Sequence, residues 1–278
     1  MCQGSKRNST AVAGPESVRA AASERAHRAE PNWTSLAAAC KGRPGERGCE
    51  AAGMAVVTLD GIGRNYGAGV AVLSEISLTL EAGEFCFLTG AAGAGKTTLL
   101  NIIALAEEPS AGRLTLFETD VAAADRMARA ALRRRIGIVF QDLRLLDHLS
   151  ANDNIALPLH VAGMADAEIR EHVGEVASWL GIDRLIELRP AALSLAERQC
   201  VAIARAIVSR PDLVLADEPT SHMDDESALT LIRALEQLSR FGTTVLIATS
   251  NLALTGRSQH PRIHLDAGRL TGPENGPA

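Results

Sequence analysis

The run Gly90-Ala91-Ala92-Gly93-Ala94-Gly95-Lys96-Thr97 fits the pattern Gly-x4-Gly-Lys-[Ser/Thr], the arrangement a backbone needs to wrap a phosphate. Glycines let successive N–H groups turn inward around an anion, and a helix opening at the end of the run aims its N-terminal dipole at the same point. Lys96 then reaches the β- and γ-phosphates of a nucleoside triphosphate, and the Thr97 hydroxyl is a ligand for Mg²⁺. Thr98 continues the first helical turn and completes the set predicted to touch ATP. Only three lysines occur in the chain, Lys6, Lys41 and Lys96. From Met54 onward every other basic residue is Arg, so the one exception stands where a compact ammonium is required and a forked guanidinium does not fit. Far downstream, Leu213-Val214-Leu215-Ala216 runs into Asp217-Glu218. Asp217 is placed to hold Mg²⁺, and Glu218 to polarise an attacking water as general base.

These groups need strands to carry them to one edge. Phe85-Cys86-Phe87-Leu88 is an apolar strand ahead of the phosphate loop, and Leu213–Asp217 is a second whose carboxyl end presents the acid, where ligands bind in open α/β sheets. Further strands are predicted at Val56–Leu59, Ile76–Leu80, Arg113–Leu116, Ile136–Phe140, Thr244–Ala248 and Arg262–Leu265. Helices are predicted at Thr97–Ala106, Ala123–Arg135, Ala167–Leu180, Glu197–Ser209 and Glu226–Arg240. Between Phe140 and Leu213 only helical patterns occur, interrupted by Pro158 and Pro190. The fold class is therefore α/β, a phosphate-loop NTPase core with a helical insertion.

The chain has 278 residues, 46% hydrophobic and 22% charged, enough for a sizeable core. A net charge of −5 argues against a nucleic-acid binder. No apolar run approaches the roughly 18 residues of a membrane span, and no secretory signal is expected. The five cysteines, Cys2, Cys40, Cys49, Cys86 and Cys200, lack CxxC spacing and are expected to be free thiols in a reducing cytosol. Residues 1–53 lack apolar periodicity and are expected to be a disordered extension or to precede the true start, since Met54 opens a strand-like run. Residues 54–270 form the predicted nucleotide-binding domain, its helical part at about 142–210, and 271–278 are expected to fray.

From Met54 to Leu270 the sequence resembles ATP-binding cassette (ABC) ATPases. Gly83–Gly90, Arg113–Phe117 and Arg133–Ser150 give it its nearest likeness to the cell-division ATP-binding proteins of the FtsE type, in their alphaproteobacterial form. The lipoprotein-release and macrolide-export ATPases share the outline. The resemblance implies a β-subdomain and several roles. Tyr66, the only tyrosine, falls where the family stacks an aromatic ring on adenine. Gln141 matches the Q-loop glutamine that senses Mg²⁺ and the γ-phosphate, and Asp224 the D-loop aspartate. The apolar Leu143, Leu145, Leu146 and Leu149 match a surface that receives a coupling helix from a membrane partner. An FtsX-like integral membrane protein, pairing as a homodimer or with another ABC chain, and residence at the cytoplasmic face of the inner membrane are what the resemblance implies.

Two stretches depart from the family. Its signature, Leu-Ser-Gly-Gly-Gln or -Glu, caps the ATP of the opposite subunit; here Leu193 is followed by Ser194-Leu195-Ala196-Glu197, with both glycines gone. After Thr244–Ala248 the family has Thr-His-Asp, and this chain has Thr249-Ser250-Asn251, so Ser250 stands at the switch histidine. Loss of one preorganised contact of that kind lowers turnover by ~10²–10³. Slow hydrolysis is therefore expected, and a module that binds ATP without hydrolysing it is the alternative. His222 is read as a solvated D-loop residue; His148, His160 and His172 show no metal-ligand spacing.

Overall fold

The computed structural model describes residues 53–67 and 69–274. Apart from Gly53, the extension expected over 1–53 lies outside the described residues, as do Cys2, Cys40 and Cys49. Two sheets carry the domain. The first is antiparallel and contains β1 (Ala55–Tyr66), β2 (Val70–Glu81), β4 (Ala111–Leu116) and β5 (Thr119–Asp120) in the order β2-β1-β4-β5. This is the β-subdomain implied by the resemblance, and its first two strands are far longer than the sequence pattern indicated. Their long register is interrupted by bulges, for example between Leu59 and Ile62, which break the simple alternation of apolar residues.

The second sheet has six strands in the order β10-β9-β3-β8-β7-β6: β3 (Phe85–Thr89), β6 (Ile136–Val139), β7 (Leu213–Asp217), β8 (Thr244–Thr249), β9 (Arg262–Asp266) and β10 (Arg269–Glu274). All neighbours pair in parallel except β10, which runs antiparallel to β9. Strand β10 continues to Glu274, past the Leu270 boundary read from the sequence, because Thr271 and Glu274 pair with His264 and Arg262. Residues 275–278 are outside the described set.

Side-chain alternation along the central strands divides the core. Phe85 and Phe87, Val214 and Ala216, Val245 and Ile247 join one apolar cluster with the helical insertion. Cys86 and Leu88, Leu213 and Leu215, Leu246 and Ala248 join a second with the antiparallel sheet and helix α1 (Lys96–Ile103). Strands buried on both faces read as unbroken apolar runs, which is why they stood out in the sequence. Helix α2 (Arg126–Arg134) precedes β6, capped by Asp125. Burial lifts the Cys86 thiol to about 12 and the Cys200 thiol to about 11, so neither is a reactive thiolate.

The insertion contains α3 (Ala151–Val161), α4 (Asp166–Trp179), two short 3₁₀ turns (Asp183–Leu185 and Pro190–Ala192) and α5 (Leu195–Ile207). Pro158 does not break α3: the helix runs through it, at the loss of one i→i−4 hydrogen bond, and ends three residues later at Val161. Ser150 caps that helix, its Oγ accepting from the Asp153 N–H at 3.1 Å. Helix α6 (Asp225–Arg240) and the short α7 (Leu252–Thr255) flank β8. Among the described residues no helix is long and apolar enough to cross a membrane.

Candidate nucleotide-binding site

Strands β3, β8 and β7 are adjacent, with Thr89 paired to Thr249 and Asp217 to Ala248. The phosphate loop, the switch segment and the Asp217-Glu218 pair therefore emerge side by side at one sheet edge. Gly90 has φ 155°, and a Cβ there would lie 2.3 Å from the Leu265 carbonyl oxygen, so only glycine fits where the loop leaves β3 against β9. Gly95 caps α1 with φ 106° and no side-chain cap, leaving the first-turn N–H groups directed into the loop.

Lys96 is almost wholly buried, 6% exposed. Its ammonium donates to the carbonyls of Gly90 (2.7 Å) and Ala91 (3.1 Å) and lies 4.0 Å from Glu218 Oε1. The positive charge is thus fixed within the cradle. Thr97 Oγ1 donates to Asp217 Oδ2 at 2.6 Å. Burial pushes the Asp217 carboxyl above the usual carboxylate range, and the neighbouring Glu218 charge adds to this against the hydrogen bond from Thr97 and the Lys96 charge. A cleft of about 520 Å³ is lined by Thr97, Gln141 and Asp217 together with Asn101 and His222. A hydroxyl, a carboxylate and an amide oxygen are hard donors suited to Mg²⁺, and the tight loop, which a Cβ at Gly90 would block, suits a polyphosphate with its buried ammonium. The residues present fit both groups.

Glu218 adopts φ 47°, an uncommon conformation for a residue with a side chain and one that concentrates at functional sites. Its N–H donates to the Ala248 carbonyl at 2.9 Å. Its carboxylate accepts from Thr249 Oγ1 (3.0 Å) and from the Ser250 backbone N–H (2.7 Å). Thr249, which ends β8 at the threonine of the family's Thr-His-Asp, had no role assigned from sequence, because its contact with Glu218 is made across neighbouring strands. His222, read as solvated, is exposed and also lines the cleft, with Nδ1 3.1 Å from Ser221 Oγ.

The other predicted residues are distributed differently. Tyr66 is 44% exposed; its hydroxyl donates to Glu107 Oε2, and the Arg64 guanidinium lies 4.7 Å from its ring centroid. One ring face is therefore already occupied by a cation. Asp224 caps α6, accepting from the Ser227 N–H at 2.8 Å, and that bond holds its carboxyl below the ordinary range. After Gln141, Leu143 (φ 59°) and Arg144 (φ 46°) take a left-handed step that buries Leu143. Arg205 of α5 clamps it, donating to the carbonyls of Leu143 (2.5 Å) and Arg144 (2.6 Å). Leu145 packs against the helical core, so of the expected apolar docking surface only Leu146, at 39%, is an exposed side chain.

Ser194 caps α5 in a reciprocal capping box. Its Oγ accepts from the Glu197 N–H (3.3 Å) and donates to Glu197 Oε2 (2.9 Å), and its N–H donates to the same carboxylate (2.9 Å). The helix begins at Leu195, whose side chain is 52% exposed.

Residues 73–221 match the family described as ABC transporter. The cell division ATP-binding protein FtsE of Escherichia coli strain K12 is 36% identical over 217 residues, covering 78% of this chain and 98% of that protein. The methionine import ATP-binding protein MetN of Xylella fastidiosa is 37% identical over 211 residues, which is 74% of this chain and 63% of the relative's own length. Among solved structures, an ATP-binding cassette dimer in a post-hydrolysis state, bound to ADP and phosphate, superposes with a TM-score of 0.75 at 29% identity, covering 80% of this chain and 99% of that one.

Proposed function

We propose, from the premise that this chain belongs to the ABC transporter ATP-binding family, that it binds Mg-ATP, pairs through its nucleotide sites and hydrolyses ATP slowly to drive an FtsX-like integral membrane partner in cell division. The observation that carries the chemical part is the meeting of Lys96, Thr97, Asp217 and Glu218 at one edge, with Thr97 2.6 Å from Asp217 and Lys96 4.0 Å from Glu218. The division role is supported by a match over 98% of the FtsE relative's length. The chain would sit at the cytoplasmic face of the inner membrane through that partner. An exporter of the lipoprotein-release or macrolide type is the second assignment of the same machinery.

Each residue has a task. Loop N–H groups and the Lys96 ammonium bind and orient the phosphates. Thr97, Asp217 and Gln141 would hold Mg²⁺, which when bound neutralises charge on the β- and γ-phosphate oxygens. Glu218 accepts the proton of the attacking water. Tyr66 offers its uncovered ring face to the base. In a closed pair, Ser194, Leu195, Ala196 and Glu197 would face the partner's nucleotide. Leucine and alanine there bring bulk where the family has bare backbone, and Ser250 cannot supply the imidazole contact, so turnover is slow. Pairing would be with a second copy of this chain or with another ABC chain whose own signature is intact.

Glu218→Gln in the full chain tests this reading. Turnover should fall to background and ATP should trap a dimer visible by light scattering. A Glu218→Gln chain that stays monomeric with ATP in the presence and absence of a second cassette, or hydrolyses as before, would refute it.

A further inference from the structure

We propose that Thr249 is a positioning residue for the base Glu218, and that its hydroxyl together with the Ser250 backbone N–H lets the site keep its base in place without a switch histidine. This rests on the hydrolysis reading above. Thr249 is fully buried at the end of β8, one strand from Glu218. Its Oγ1 accepts from the Asn251 N–H at 3.1 Å. With that lone pair engaged, the hydroxyl proton is turned to Glu218 Oε2, 3.0 Å away. The other carboxylate oxygen accepts the Ser250 N–H at 2.7 Å, a short charge-assisted bond. Both oxygens are therefore fixed by donors, in a residue whose φ of 47° needs its surroundings to hold it.

The consequence concerns what the Ser250 substitution costs. The contact from position 250 to the base is made by backbone and is independent of the side chain there. Exchange of histidine for serine removes an imidazole from the phosphate side yet leaves the support of Glu218 intact. Thr249, in contrast, supports the base through its side chain, and no second side-chain donor to Oε2 stands beside it among the described hydrogen bonds.

Thr249→Val keeps the β-branched shape and deletes the hydroxyl. In the full chain kcat should fall about 10-fold to 100-fold with KM for ATP unchanged, since the loss is one of base placement. Thr249→Ser should rescue most of it. A second readout is independent of turnover: the Ser250 amide proton, shifted downfield by its bond to the carboxylate, should move upfield in Thr249→Val and return in Thr249→Ser. Equal kcat in Thr249→Val and the parent overturns the proposal, as does a fall in kcat with an unmoved Ser250 resonance. If the parent chain hydrolyses no faster than Lys96→Ala, the ATPase reading fails by itself. The amide resonance then decides alone, and one that stays in place in Thr249→Val overturns the positioning role.

Discussion

The phosphate loop and the signature segment are both short turns that open a helix, yet they are held in opposite ways. At Gly90 the chain itself forbids any other residue, because a Cβ would strike the Leu265 carbonyl at 2.3 Å. At Leu195 and Ala196 nothing in the chain demands glycine: α5 begins there in ordinary helical geometry, and Ser194 is satisfied by Glu197. Constraint on the first comes from within one protomer. In the proposed pair, constraint on the second would come only from the nucleotide of the opposite subunit. The phosphate cradle therefore folds without glycines at Leu195 and Ala196, and the proposed function predicts that binding and hydrolysis are separable in this chain.

The sharpest break of that contrast is Gly90→Ala. It should destabilise the chain by about 2–4 kcal/mol and abolish ATP binding, read by calorimetry and by nucleotide titration. Combined Leu195→Gly, Ala196→Gly and Ser250→His should act in the reverse sense, raising kcat by ~10²–10³ while leaving ATP affinity nearly unchanged.

A smaller effect is expected from pH. Burial pushes the Asp217 carboxyl up, so the folded chain keeps that proton to a higher pH than the unfolded chain. Stability without Mg²⁺ should consequently fall as pH rises from the ordinary aspartate value of about 4 through the raised one. Asp217→Asn should flatten that slope and raise the melting temperature at neutral pH, even as it weakens Mg²⁺ binding. The smallest effect is expected in the signature helix. Both side-chain polar atoms of Gln199 are buried without a hydrogen bond, and Gln199→Met should be neutral or stabilising by up to about 1 kcal/mol in thermal melts.

The same contrast explains what the sequence could disclose. Phosphate-loop residues lie in one continuous run, and Asp217-Glu218 follows an apolar strand, so their types, spacing and strand context were legible. The β-subdomain was underestimated because bulges in β1 and β2 disturb the two-residue alternation. Thr249 was missed because its role depends on β8 lying beside β7, a pairing of residues far apart in the chain. The leucines after Gln141 suggested a docking face. The left-handed step at Leu143 and Arg144, clamped by Arg205, turns Leu143 inward instead, and no local pattern announces a clamp contributed by a distant helix.

Steady-state ATP hydrolysis by the full chain with Mg²⁺, measured beside Lys96→Ala and beside the Leu195→Gly, Ala196→Gly, Ser250→His variant, with ATP binding confirmed for each, is the most direct test. The expected result is full ATP binding by the parent with turnover above Lys96→Ala and far below the restored variant. Loss of ATP binding in the parent, or turnover equal to that of the restored variant, would contradict the separation of a built nucleotide site from a weakened catalytic one.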